Sequence, residues 1–202
     1  MRREFVVPGE EVDPRLKEYT YSEGGKVYSS IYGLLVEKEG QIRLSPLKQK
    51  YIPKQNDIVI GIIKEEKFGG YYVDINSPYE AILETERKYP EGSIIIAVVS
   101  EITEVKSAVL TRERSISGNL IEVNPAKIPR VIGKKNSMIN LLREKTGCSI
   151  YVGANGRVCI SGENLILVEK AIQKIKQEAH LEGLTEKIID FLEKEKVNLS
   201  KK

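Results

Sequence analysis

The 202-residue sequence contains no tryptophan, one histidine and two cysteines. Two cysteines, Cys148 and Cys159, with a single histidine give no disulfide framework and no plausible zinc site. Long apolar runs are missing as well. The longest, Ile94 to Val99, is six residues, far short of the about 20 that a membrane helix needs. The N-terminal run Met1-Arg2-Arg3-Glu4-Phe5 lacks the apolar core of a secretory leader. An excess of one charge is absent too, with 32 Lys plus Arg against 29 Asp plus Glu and a net charge of +3. What is present is 41% hydrophobic residues, enough to bury a core and to exclude global disorder. The length accommodates one to three small domains. A cytoplasmic protein without metal, cofactor or membrane segment is the expectation.

The near-neutral total conceals an uneven distribution. Residues 1–110 carry 15 basic and 18 acidic side chains, and residues 111–202 carry 17 and 11. Between Arg112 and Arg157 there are 9 basic residues against 3 acidic, and beyond Arg157 the signs balance, 8 against 8. A concentrated basic segment is the electrostatic footprint of phosphate binding, although a charge cluster alone is more often a solvated face.

The pattern changes twice along the chain. Residues 1–50 read as short strands, including Val27 to Val36 and Gln41 to Leu44, broken at Pro8-Gly9, Glu23-Gly24-Gly25 and Glu39-Gly40. Residues 51–114 carry five strand signals: Asp57 to Ile63, Tyr71 to Ile75, Tyr79 to Leu83, Ile94 to Val99 and Val105 to Thr111. Ile94 to Val99 is apolar on both faces and should be covered on both. Five short strands with glycine-rich turns predict a small closed barrel of the OB type. From residue 115 the order is strand (Leu120 to Val123), helix (Pro125 to Ile132), helix (Ser137 to Lys145, stopped by Gly147), strand (Ser149 to Val152), strand (Arg157 to Ser161), helix. Ala154-Asn155-Gly156 reads as the hairpin turn between the two strands. The last helix of this set places Leu165, Val168, Ile172, Ile175 and Ala179 on one face and ends near Gly183. A final helix, residues 184–202 with its basic tail, follows, with Leu184, Ile188 and Leu192 on one face and Thr185 as its cap.

This β-α-α-β-β-α order is that of a type I KH domain, expected over residues 115–183, and the loop between its first two helices carries the chemistry. A KH domain clamps a single-stranded backbone with a G-x-x-G loop. Gly133 supplies the small residue where phosphate comes close, and Lys134, Lys135 and Arg130 supply charge. Ser137 and the amides opening the second helix supply donors aligned with the helix dipole. Asn136 stands where the second glycine is usual, and asparagine tolerates a left-handed backbone better than other residues with side chains. A P-loop does not fit, since Lys135 replaces Ser or Thr and Ile128 replaces the first glycine. Arg112, Lys127 and Arg157 are expected to add to the field. In the barrel, Phe68 and Tyr71 are candidate stacking platforms for bases, because OB folds hold single strands on aromatics. Tyr71 and Tyr72 point to opposite faces, so at most one of them serves, and either ring could instead fill the core.

Other residues invite no chemistry. His180 reads as structural or surface, and Glu65-Glu66 with Glu84 and Glu86 as a solvated edge. Cys148 and Cys159 flank the hairpin as small core residues or as a cross-strand disulfide. With no nucleophile-base pair, catalysis by this chain alone is not expected.

Several stretches resemble the RNA-binding cap subunit of the archaeal exosome, the kind with S-one and KH domains. These are Val6-Val7-Pro8-Gly9-Glu10, the run from Tyr51 to Gly61, the run from Gly118 to Gly133, and Gly153-Ala154-Asn155-Gly156-Arg157. The resemblance spans nearly the whole chain and implies a non-catalytic subunit. It implies that three cap subunits, this chain alone or mixed with a sister cap subunit, sit on a six-membered ring of phosphorolytic RNase subunits. The cap binds single-stranded RNA and guides 3′ ends into the pore, and its N-terminal domain docks on the ring. A free-standing KH/OB protein, an RNA chaperone or a translation-associated factor, is the alternative.

Overall fold

A computed structural model describes residues 2–38, 40–46, 51–104, 107–178 and 183–199. The expectations for Val105, Ala179, His180 and the Lys201-Lys202 tail lie outside the described residues. The chain divides into two compact units, residues 1–49 and 50–202.

In the first unit β1 (Arg2–Val6), β4 (Gly33–Lys38) and β5 (Gln41–Pro46) form an antiparallel sheet in the order β1-β4-β5. A separate hairpin pairs β2 (Thr20–Glu23) with β3 (Lys26–Ser29). The segment read as one strand from Val27 to Val36 is therefore two, β3 and β4. They part where Ser29 is buried and its hydroxyl donates to Ile31 O at 2.7 Å, turning the chain. Val6, Val12, Leu16 and Leu44 make the small core.

The second unit opens with the five-stranded closed barrel that the sequence predicts. Its strands are β6 (Ile58–Lys67), β7 (Gly70–Asp74), β8 (Ala81–Glu84), β9 (Ile94–Ile102) and β10 (Ala108–Ser115), closed in the order β10-β8-β7-β6-β9. Alternation decides which side chains fill it: Val59, Ile63, Tyr71, Val73, Leu83, Ile95, Val99 and Leu110 point inward. The KH arrangement follows, with β11 (Asn119–Glu122), α1 (Ile128–Ile132), α2 (Ser137–Thr146), β12 (Ser149–Val152), β13 (Arg157–Ser161), α3 (Leu165–Glu178) and the added α4 (Leu184–Leu199). Its sheet runs β11-β13-β12, all antiparallel. One face of that sheet packs on the helices through Val158, Ile160, Leu142, Val168, Ile172 and Ile188.

Two boundaries differ from the expectation for identifiable reasons. The helix expected over Pro125 to Ile132 is split. Asn124 Oδ1 accepts from Ala126 N at 2.9 Å and starts a 3-10 turn over Pro125–Lys127, and α1 begins only at Ile128. Thr185 does not cap α4, which begins at Leu184 after a left-handed Gly183, so Thr185 lies inside the first turn. The cysteines are free buried thiols on opposite faces of the KH sheet. Cys148 sits among the helices and Cys159 faces the barrel, so the disulfide alternative does not hold.

The barrel and the KH sheet share a seam. Ile60 of β6, Cys159 of β13 and Ile116 form a buried cluster with Ile94, Ile96, Leu120 and Tyr151 against it. This covers the outer face of β9, which accounts for its being apolar on both sides. The β12–β13 hairpin tip enters the seam. Asn155 is fully buried, and its side-chain amide donates to Ile60 O at 2.7 Å and Ile75 O at 2.9 Å while accepting from Ile60 N at 3.2 Å. Ala154 N adds a bond to Ile58 O at 2.8 Å. A Cβ on Gly153 would stand 2.8 Å from Ile60 N, so only glycine lets the hairpin approach this closely. Arg157, its side chain 5% exposed, donates Nη2 to Asp74 Oδ2 at 2.8 Å and Nη1 to Asp74 O.

Burial pushes the Asp74 carboxyl up, but the Arg157 guanidinium and the Asn76 amide outweigh it and hold it below its ordinary 3.8. The stability this pair contributes is thus fully present above pH 3.8 and is lost as pH falls through the lower folded-state value. In acid titrations of stability, the gap between wild type and Asp74→Asn is expected to be constant from neutral pH to about pH 5 and to close on further acidification. Asn155→Ala leaves two buried carbonyls and an amide without partners and is expected to cost about 3 kcal/mol in urea unfolding of the full chain.

Candidate nucleic-acid interface

The KH loop is built by a sharp reversal. Gly133 caps α1 at φ 75° and ψ 168°, and its N–H donates to Pro129 O at 3.0 Å. A Cβ here would lie 2.6 Å from Met138 N and 2.8 Å from Met138 Cβ, so the loop folds back onto α2 only because residue 133 is glycine. Lys135 and Asn136 are both left-handed, at φ 52° and 64°. Asn136 thus takes the conformation that the usual second glycine would, as its tolerance for that region predicts. Its side chain makes no capping bond, so the first-turn amides of α2 point into the loop region at the positive end of the dipole. Lys134, Lys135, Asn136, Ser137 and Arg130 are exposed. Gly133 is half-buried beneath them.

The cations divide by what holds them. Among the described residues, Arg112, Arg114, Arg130, Lys134, Lys135 and Arg143 have no carboxylate partner. Arg112 sits exposed at φ 54° in the irregular stretch of β10 between Thr111 and Arg114. Two of the expected RNA contacts are otherwise engaged. Arg157 is enclosed in the seam with Asp74, so its charge serves the interface between barrel and KH sheet. Lys127 is half-buried, and its ammonium donates to Lys176 O at 2.6 Å near the C-terminal end of α3, where the helix dipole favours a cation.

The aromatic expectations are reversed in one case. Phe68 is fully exposed at the β6–β7 turn. Tyr71 is 4% exposed inside the barrel, edge-on to Tyr89 with centroids 5.9 Å apart, and its hydroxyl accepts from Tyr89 N. It cannot stack a base. The outward ring is Tyr72, with Lys67 Nζ 5.1 Å from its centroid. Tyr72 lines an open cleft of about 320 Å³ with Lys64, Asp74, Ser77 and Tyr79. Parity carried this signal: Val73 and Ile75 are the apolar partners that must point inward, and Tyr71 shares their face while Tyr72 shares that of Asp74. No group of three or more metal-ligating side chains is present among the described residues, and no described helix is long and apolar enough to cross a membrane.

Comparison with known proteins agrees with this geometry. Residues 119–177 match the family model described as KH domain. The chain is 39% identical to the exosome complex component Rrp4 of Methanobrevibacter smithii over 92% of its own length and 70% of that protein. It is 37% identical to Rrp4 of Methanothermus fervidus, covering 94% of this chain and 95% of that one. A crystal structure assigned to an exosome complex RNA-binding protein superposes with a TM-score of 0.66 at 36% identity, covering 73% of this chain and 98% of that one.

Gly133→Ala forces a side chain into a left-handed residue against the α2 backbone. It is expected to lower stability by about 1–2 kcal/mol in denaturant unfolding and to disorder the loop amides in an NMR spectrum. With the closed five-stranded barrel, the KH loop and these relatives together, the chain belongs to the Rrp4 family of archaeal exosome complex components.

Proposed function

We propose that the chain is the non-catalytic RNA-binding subunit of an exosome, recruiting single-stranded RNA and guiding its 3′ end into a ring of phosphorolytic RNase subunits. The observation that carries this reading is the glycine-hinged loop of residues 133–137. It presents Lys134, Lys135 and the flanking Arg130, unpaired by carboxylates among the described residues, beside the amides that open α2. A backbone-clamping KH loop needs these features: close approach, donors and free charge. Arg112 adds field on the barrel side, and Phe68 and Tyr72 offer rings on which bases stack without sequence preference. The four parts take separate roles. Residues 1–50 dock on the ring, 51–114 form the S-one barrel, 115–183 the KH domain, and 184–202 buttress it through α4. Exposed Phe5 and Tyr32 give the N-terminal unit apolar surface for such docking. The cap works as a trimer, alone or mixed with a sister cap subunit, on a six-membered ring in the cytoplasm.

The family relationship favours this over a free-standing RNA chaperone or translation-associated factor, and a purified preparation separates them. Incubated with RNA and phosphate, the chain alone is expected to degrade nothing and to co-purify with ring subunits from its own cells. Degradation without the ring would contradict the reading. Lys134→Ala with Lys135→Ala is expected to weaken RNA binding and to lower the salt slope, d log K against d log salt, by about 1.4, since each single-strand phosphate contact contributes about 0.7. An unchanged slope would mean that the loop does not hold phosphate.

A further inference from the structure

Strand β12 is one of the two edge strands of the KH sheet, and two arginines straddle it from opposite faces. From the helix side, Arg143 of α2 donates Nη2 to Ile150 O and Nη1 to Asn140 Oδ1. From the barrel side, Arg114 of β10 lies over the ring of Tyr151, its guanidinium carbon 5.3 Å from the centroid. The two contacts fall on consecutive residues of β12, the backbone carbonyl of Ile150 and the ring of Tyr151. Both arginines are exposed and neither has a carboxylate partner among the described residues. Some surface lysines of this unit pair with acids, such as Lys88 with Glu66 and Lys170 with Glu195. These two are held instead by a carbonyl and an aromatic face, contacts that fix a guanidinium and leave its charge uncompensated.

The position matters as much as the charge. Tyr151 faces the seam with Ile60 and Ile116, so Arg114 stands where barrel meets KH sheet. Arg112 lies two residues before it on the same strand. Arg143 stands on α2, the helix whose first turn closes the KH loop. A cationic path thus leads from Lys134 and Lys135 along α2 to Arg143, over the edge of β12 to Arg114, and onto the barrel at Arg112. We propose that Arg143 and Arg114 form a second phosphate anchor, carrying single-stranded RNA across the edge of β12 from the KH loop to the barrel. Planar guanidinium groups suit this task, because they bind phosphate oxygens in fork geometry while one face stays stacked. The inference rests on the RNA-binding reading above and assigns the strand's route on that surface.

The test compares two RNA lengths on the full chain. An oligonucleotide of about four nucleotides fills a KH loop alone, and one of about twelve reaches the barrel as well. Arg114→Gln is expected to leave the short oligonucleotide unaffected. It should weaken the long one about tenfold and lower its salt slope by about 0.7, the loss of one phosphate contact. Arg114→Lys, which keeps the charge over the ring, should restore the slope. Thermal melting of each variant checks that the seam is intact. Equal binding of the long RNA by wild type and Arg114→Gln would overturn the proposed route, as would an equal loss for both lengths. Failure of wild type to bind either RNA would instead remove the RNA-binding reading itself, and the route with it.

Discussion

The side chain of Asn155 is the contact on which the arrangement of the second unit depends. It is fully buried between two β-structures, and each of its polar groups meets a backbone partner on β6 or just after β7. Backbone carbonyls and amides are fixed in space, so an amide side chain that satisfies three of them admits very few orientations. An apolar contact such as Ile60 against Cys159 supplies attraction without that directional demand. Asn155 therefore sets where the KH sheet sits, and the close approach at Gly153 and the Arg157–Asp74 pair follow from that placement. The KH loop, the free edge of β12 and the outward face of β7 are carried on one body in consequence.

Much of this was legible in the sequence, and what was not has more than one cause. The barrel, the KH order and the reversal at Gly133 follow from local pattern: alternation, glycine spacing and helical period. Asn136 takes the left-handed conformation for a reason its residue type states. Arg157 and Lys127, expected to add to the field, are engaged by Asp74 and by Lys176 O, because a charged residue in a basic segment looks solvent-facing until its tertiary partner is known. The hairpin turn Ala154-Asn155-Gly156 carries the strongest local turn signal in the chain, yet its asparagine acts across 80 to 95 residues of sequence. Only the second body, the barrel, reveals that function. Tyr71 is different in kind. Its burial was written in the alternation with Val73 and Ile75, and the register was available to be used.

The division of charge now has a structural meaning. In the barrel, cations such as Lys88 and Arg87 meet acids at the surface. Exposed pairs of this sort contribute little stability, and they keep the barrel field weak. In the segment from Arg112 to Arg143 the exposed cations stand without acids among the described residues. A protein of net charge +3 can then still attract a polyanion at this segment, since local potential, not total charge, governs the encounter.

The central claim is that barrel and KH domain are one rigid body locked at Asn155. Residual dipolar couplings of backbone amides in residues 57–115 and 119–178 test it most directly. The account predicts that one alignment tensor fits both sets in wild type. Separate tensors, or systematically scaled couplings in one set, would show domains that reorient independently and would contradict it.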